Sequence, residues 1–165
     1  MEHLDLSSNE LSGNVIYDLG NLSELGVLDL SDNQLSGEIP VELSGLSNLI
    51  NLDLSTNQIS GEVPIGIWNL VNLENLNLSS TNLSGVLSAD VGNLINLTEL
   101  DLSNSSFFGL IPGEICDQGD TTPSLSNNEF CHEISWGCFP TKNDCSRCHS
   151  LSRSIFDTKI LSNYL

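Results

Sequence analysis

The chain has 165 residues, 39% of them hydrophobic and 16% charged, with 22 acidic residues against four basic ones and a net charge of −18 at pH 7. Residues 1–141 carry 20 of the acids and no Lys or Arg; the four basic residues, Lys142, Arg147, Arg153 and Lys159, all follow. Such a field repels phosphate, which argues against nucleic acid and against an anionic membrane surface as partners, and no apolar stretch approaches the roughly 20 residues of a spanning helix.

From Met1 onward the chain repeats itself every 24 residues. Leu25 to Asn48 and Leu49 to Asn72 agree at 13 of 24 positions, and further copies start at Met1, Leu73 and Leu97. Self-similarity at a fixed period marks a stacked-repeat fold. Each copy opens with two apolar columns, Leu4, Leu28, Leu52, Leu76 and Leu100, then Leu6, Leu30, Leu54, Leu78 and Leu102. Their alternation is the period of a strand with one face buried.

Next in each copy stands Asn9, Asn33 or Asn57, replaced by Thr81 and Ser105 in the last two. A short amide both donates and accepts, so stacked copies are expected to form a structural ladder that satisfies buried loop backbone groups. Hydroxyls supply fewer donors, and Asn82 stands one position along as a partial substitute. Leu11, Leu35, Ile59, Leu83 and Phe107 come next, at a spacing that predicts an inward-bending turn. Gly13, Gly37, Gly61, Gly85 and Gly109 follow, which points to positive φ or close backbone approach. Pro40, Pro64 and Pro112 then fix φ where the chain turns back. Apolar pairs such as Leu43 with Leu46, or Ile67 with Leu70, return along the outer side. One copy buries too little apolar surface to offset the ordering of its own backbone, so the copies must stack.

The pattern LxxLxLxxNxLSGxIPxxLGxLxN, nearly complete in NLDLSTNQISGEVPIGIWNLVN (Asn51 to Asn72), resembles the plant-type leucine-rich repeat of receptor-like proteins, receptor kinase ectodomains and polygalacturonase-inhibiting proteins. The resemblance covers residues 1 to about 117. It implies an α/β-type repeat solenoid, a right-handed superhelix of five 24-residue repeats with a parallel β-sheet on the concave face and short 3-10 or loop segments on the convex side. It also implies a non-enzymatic recognition module, extracellular or at the cell surface, that binds a protein or peptide ligand on the concave face.

Asp5, Asp29, Asp53, Asn77 and Asp101 fall in one outward strand column, with Glu74 and Glu99 beside it. A row of carboxylates at strand spacing attracts cations, so this column is the candidate docking stripe for a basic peptide or protein. A single carboxylate there is as readily a solvated group that keeps the chain soluble. The column of Ser7, Ser31, Ser55, Ser79 and Ser103 offers hydroxyls at the same spacing. It supports the alternative of a lattice binder, of ice or cell-wall polysaccharide.

Gln118 and Thr121 interrupt the apolar columns, which places the solenoid at residues 1–117, a cysteine-rich C-terminal cap at 118–149 and a tail, short helix or disordered, at 150–165. NNEFCHEISWGC (Asn127 to Cys138) resembles the closing cap of plant receptor-like proteins, departing at His132 and Ile134, where Gly and Pro are usual. All five cysteines, Cys116, Cys131, Cys138, Cys145 and Cys148, lie at this end. Disulfide stapling ranks first, with one thiol left over. A zinc site from Cys131, Cys138, Cys145, Cys148 and His149 ranks second. Covalent haem at CSRCH (Cys145 to His149) is a distant third, and no cofactor is expected.

Three histidines, His3, His132 and His149, and carboxylates on an open repeated column offer no catalytic grouping, so no enzymatic activity is expected. Asn21, Asn77, Asn82, Asn96 and Asn104 begin N-glycosylation triplets. Met1 enters directly at the strand motif with no secretory apolar segment, so the chain reads as a fragment of a longer protein. Its open edge at Leu4, Leu6 and Leu11 is expected to favour end-to-end dimers.

Overall fold

The computed structural model describes residues 1–120 and 123–130. Among them eleven short strands alternate with five 3-10 helices. Strands β1 (His3–Asp5), β3 (Val27–Asp29), β5 (Asn51–Asp53), β7 (Asn75–Asn77) and β9 (Glu99–Asp101) form one parallel sheet in that spatial order. Leu4, Leu28, Leu52, Leu76 and Leu100 face one another directly along it, at the spacing of about 4.8 Å between paired strands. Alternation within LxLxx drives this: from the second copy onward the inward leucines are buried, and the residues between them look outward.

A second sheet was not anticipated from the sequence, which suggested only an irregular turn there. The strands β2 (Ser12–Asn14), β4 (Gln34–Gly37), β6 (Gln58–Glu62), β8 (Asn82–Val86), β10 (Ser106–Gly109) and β11 (Glu129–Phe130) run parallel in the order β2-β4-β6-β8-β10-β11. Only one apolar residue per strand, such as Leu35 or Ile59, points inward, and Gly takes the next inward place. The alternation is thus too short to read as a strand. Registers differ as well: His3 faces Val27 in the first sheet, one full repeat along, whereas Ser12 faces Gln34 in the second, two residues short of a repeat.

The 3-10 helices Tyr17–Asn21, Val41–Gly45, Ile65–Asn69, Ala89–Asn93 and Gly113–Cys116 carry the chain back. Pro40, Pro64 and Pro112 precede three of them, and Ser88 caps a fourth by accepting from the Asp90 N–H at 3.1 Å. Leu43, Leu46, Ile67, Trp68 and Leu70 close the single apolar core from this side. No helix among the described residues is long and apolar enough to cross a membrane.

The glycine column has two causes. Gly61 and Gly85 have φ of +83° and +99°, and a Cβ on either would sit 2.9 or 2.8 Å from Cγ of Glu38 or Glu62, the side chain laid over it from the preceding repeat. Gly61→Ala is therefore expected to destabilise the fold by about 1–3 kcal/mol, as non-Gly residues in strained left-handed positions do. Urea unfolding of the two proteins measures it.

The described residues after Asp117, the expected start of the cap, pack on the last repeat. Gln118 is buried, yet its amide is satisfied: Nε2 donates to the carbonyls of Ile115, at 3.1 Å, and Asp120, and Oε1 accepts from the Asp120 N–H at 2.6 Å. A polar residue that closes its own hydrogen bonds occupies an interior place at little cost. Ser124 then bridges to Asp101, Leu125 is buried, and β11 pairs with β10. Phe130 stacks on Phe107 with ring centroids 6.4 Å apart. Cys116 ends the fifth 3-10 helix; Thr121, His132, Ile134, His149, the other four cysteines (Cys131, Cys138, Cys145 and Cys148) and the tail 150–165 lie outside the described residues, and with them the zinc and haem alternatives and most of the expected cap.

Candidate ligand-binding face

Strand pairing places Asp5 beside Asp29, Asp29 beside Asp53, Asp53 beside Asn77 and Asn77 beside Asp101, one strand spacing apart on the outward side of the first sheet. Asp5 is exposed and the other four are half-buried. Each uses one oxygen locally: Oδ1 accepts from the backbone N–H of the serine two residues on, at 2.9 Å for Asp5, Asp29 and Asp53, 3.1 Å for Asn77 and 2.8 Å for Asp101. These closures end the strand and precede Ser8, Asp32, Thr56, Ser80 and Asn104, which take φ between +51° and +54°. The Asp column thus shapes the turn as well as the surface. Its second oxygens carry the stripe, and between Asp53 and Asn77 the amide relieves repulsion by donating from Nδ2 to Asp53 Oδ2 at 3.2 Å.

The serine column belongs to the same turns. Ser31 is half-buried, Ser55 and Ser79 are buried, and the hydroxyls of Ser7, Ser31 and Ser79 donate at 2.6–2.7 Å to the oxygens their own N–H groups already hold. These three hydroxyls stabilise the turn. At Asp5 these bonds, the Ser7 hydroxyl foremost and its N–H next, hold the carboxyl below the usual Asp value. Ser7→Ala is expected to raise the Asp5 pKa, read by NMR titration of its side-chain carboxyl. A depressed folded pKa contributes stability at neutral pH that is lost as pH falls through it.

Glu74 and Glu99 are exposed beside the stripe. The outward column two residues before the aspartates, with Val27, Asn51 and Asn75, was not singled out from the sequence; all three are half-buried on the same face, and strand alternation alone would have found them.

The ladder column holds the rim of this face. Asn33 Nδ2 donates to the carbonyls of Leu6, Leu30 and Ser31 at 2.9–3.1 Å while Oδ1 accepts from Leu11 N–H at 3.0 Å. Asn57 repeats the set one rung along, from a buried site. Asn9 makes only the bonds to its own turn, to the carbonyls of Leu6 and Ser7. Thr81 keeps a bond to Leu78 O at 2.9 Å and meets Ser105 Oγ at 3.1 Å, and Ser105 reaches the same Leu78 carbonyl at 3.3 Å. Asn82 does not deputise: it is exposed and reaches only Gln58 O, at 3.4 Å. Asn128 restores the full pattern, donating to Leu102 O at 2.7 Å and accepting from Phe107 N–H at 3.0 Å.

The Leucine Rich Repeat family model matches residues 1–22, 24–46, 48–70, 72–94 and 96–118, one match for each copy. The chain belongs to the leucine-rich repeat family. Among solved structures, this leucine-rich repeat chain is 35% identical to a plant peptide hormone receptor, RGFR1, seen in complex with RGF2, with a TM-score of 0.77 over 79% of this chain and 21% of that one. It is 37% identical to the leucine-rich repeat ectodomain of the receptor kinase SOBIR1 from Arabidopsis thaliana, with a TM-score of 0.71 over 77% of this chain and 71% of that one. A plant ice-binding protein is 32% identical, with a TM-score of 0.74 over 77% of this chain and 42% of that one. The chain thus spans about a fifth of the length of the hormone receptor it resembles. No curated protein matches its sequence. Plant receptor ectodomains of the leucine-rich repeat kind are its structural relatives, and the relatives described here are receptors or binding proteins.

Proposed function

We propose that the chain is a non-enzymatic recognition module, extracellular or at the cell surface, whose concave strand face binds an extended basic peptide or protein segment. The observation that carries this is the in-register row Asp5, Asp29, Asp53 and Asp101, each with only one oxygen engaged in its own turn and the second of Asp53 shared with Asn77, in a stretch of 141 residues without Lys or Arg. Glu74 and Glu99 extend the field to one side. A cationic ligand lying across the rungs would meet a carboxylate at nearly every strand spacing. The likeness to a peptide hormone receptor supports a peptide as the ligand class.

Lattice binding draws support from the likeness to a plant ice-binding protein. The bonds that tie the Ser7, Ser31 and Ser79 hydroxyls to the neighbouring Asp or Asn oxygens weigh against it. Selection of a random peptide library on the immobilised full chain is expected to enrich Lys- and Arg-containing sequences, and Asp29→Asn with Asp53→Asn to abolish that enrichment. Equal enrichment on both proteins would remove the stripe from the account.

A further inference from the structure

A groove of about 830 Å³ opens on the other side of the molecule, where the outward face of the second sheet meets the 3-10 helices. Equivalent positions of successive repeats, two residues out of strand register and so on a diagonal of that sheet, run Asn14, Glu38, Glu62, Val86 and Leu110. Their character changes midway from polar to acidic to apolar. Glu38 and Glu62 line the groove, are exposed, and each lies over the glycine of the next rung, so the absence of a Cβ at Gly61 and Gly85 seats two carboxylates one strand apart. No Lys or Arg stands anywhere in the first 141 residues to pair with them.

The walls are apolar. Val41, Ile65 and Val86 are 63%, 58% and 64% exposed, and Trp68 closes the floor. Beyond Val86 the apolar surface continues onto Phe108, its register partner in β10, and onto Leu110, both exposed. Exposed aliphatic and aromatic side chains contiguous along a sheet face are unusual where the neighbouring face is charged, and such patches mark contact surfaces.

We infer that this groove is a second docking surface, distinct from the concave face, for an extended segment of a partner protein in which basic residues are followed by aliphatic ones. The basic side chains lie over Glu38 and Glu62 with their methylene stems against Val41 and Ile65, as long cations do on apolar ground. The aliphatic residues cover Val86, Phe108 and Leu110. Charge complementarity chooses the occupant: a second copy of this strongly acidic chain would bring like charge to the glutamates, and an acidic or neutral segment would leave them unpaired.

The test is titration of the full chain with the acetylated hexapeptide Arg-Arg-Gly-Leu-Ile-Leu, followed by calorimetry or fluorescence anisotropy, against two control peptides, one with Glu-Glu for Arg-Arg and one with Ser-Gly-Ser for Leu-Ile-Leu. With the concave stripe silenced by Asp29→Asn and Asp53→Asn, so that failure here is separate from failure of the concave reading, the proposal expects binding of the first peptide in preference to both controls, weakened at least tenfold by Glu38→Gln with Glu62→Gln and again by Val86→Ser. These groove positions are exposed, and an unaltered melting temperature shows that each variant folds. Absence of binding in that background, tolerance of the groove variants, or equal binding of a control peptide overturns it.

Discussion

Replacing Asn57 by leucine is expected to cost about 3 kcal/mol of stability, more than any surface substitution, even though leucine has nearly the same size. From one buried amide Nδ2 donates to the carbonyls of Leu30, Leu54 and Ser55 at 2.9–3.2 Å, and Oδ1 accepts from Leu35 N–H at 2.9 Å. Leucine fills the space and leaves those groups without this partner, and a buried polar group deprived of its partner costs about 1–3 kcal/mol. The same change at Asn9, exposed and bonded only within its own turn, is expected to cost under about 1 kcal/mol. Urea denaturation of both variants measures the contrast, and equal losses would mean that the ladder does not join the rungs.

Leu76→Ala is expected to be comparably damaging, at about 2–5 kcal/mol, the range for emptying a well-packed core site. Leu76 is fully buried on the central strand of its environment, paired with Leu52 on one side and Leu100 on the other. Because each rung contacts only its neighbours, the cavity weakens two interfaces at once. Leu4→Ala removes the same atoms from a half-buried place at the first rung and is expected to cost less than half as much. Hydrogen exchange should show the difference in extent: faster exchange on both sides of β7 for Leu76→Ala, and changes confined to the first two rungs for Leu4→Ala.

Particular residues decide what was legible in the sequence. The leucine columns announced the first sheet because each strand buries two leucines flanking one outward residue, a full period-2 signature, and the recurrence of that signature fixed the register as well. The second sheet was silent, since strands such as Gln34–Gly37 bury a single leucine and then Gly37, which has no side chain to report burial. The burial of Gln118 was not legible, because residue type alone does not reveal that an amide will meet Ile115 and Asp120 from inside. In the candidate site the aspartate stripe followed from periodicity, but the hydrogen bonds of the serines two residues on did not. Which way a hydroxyl points depends on the turn that Asp29 or Asn77 closes, and that turn needs a residue at positive φ, a state that Asp32, Thr56 and Ser80 share without a common side chain.

The most direct test of the central claim is the ionic-strength dependence of affinity for a basic peptide selected on the concave face, measured from about 20 to 500 mM NaCl, across which the screening length falls from over 20 Å to below 5 Å. The account predicts a steep loss of affinity with salt, and a shallower one in Asp29→Asn with Asp53→Asn. A salt-independent affinity, unchanged in that variant, would contradict it.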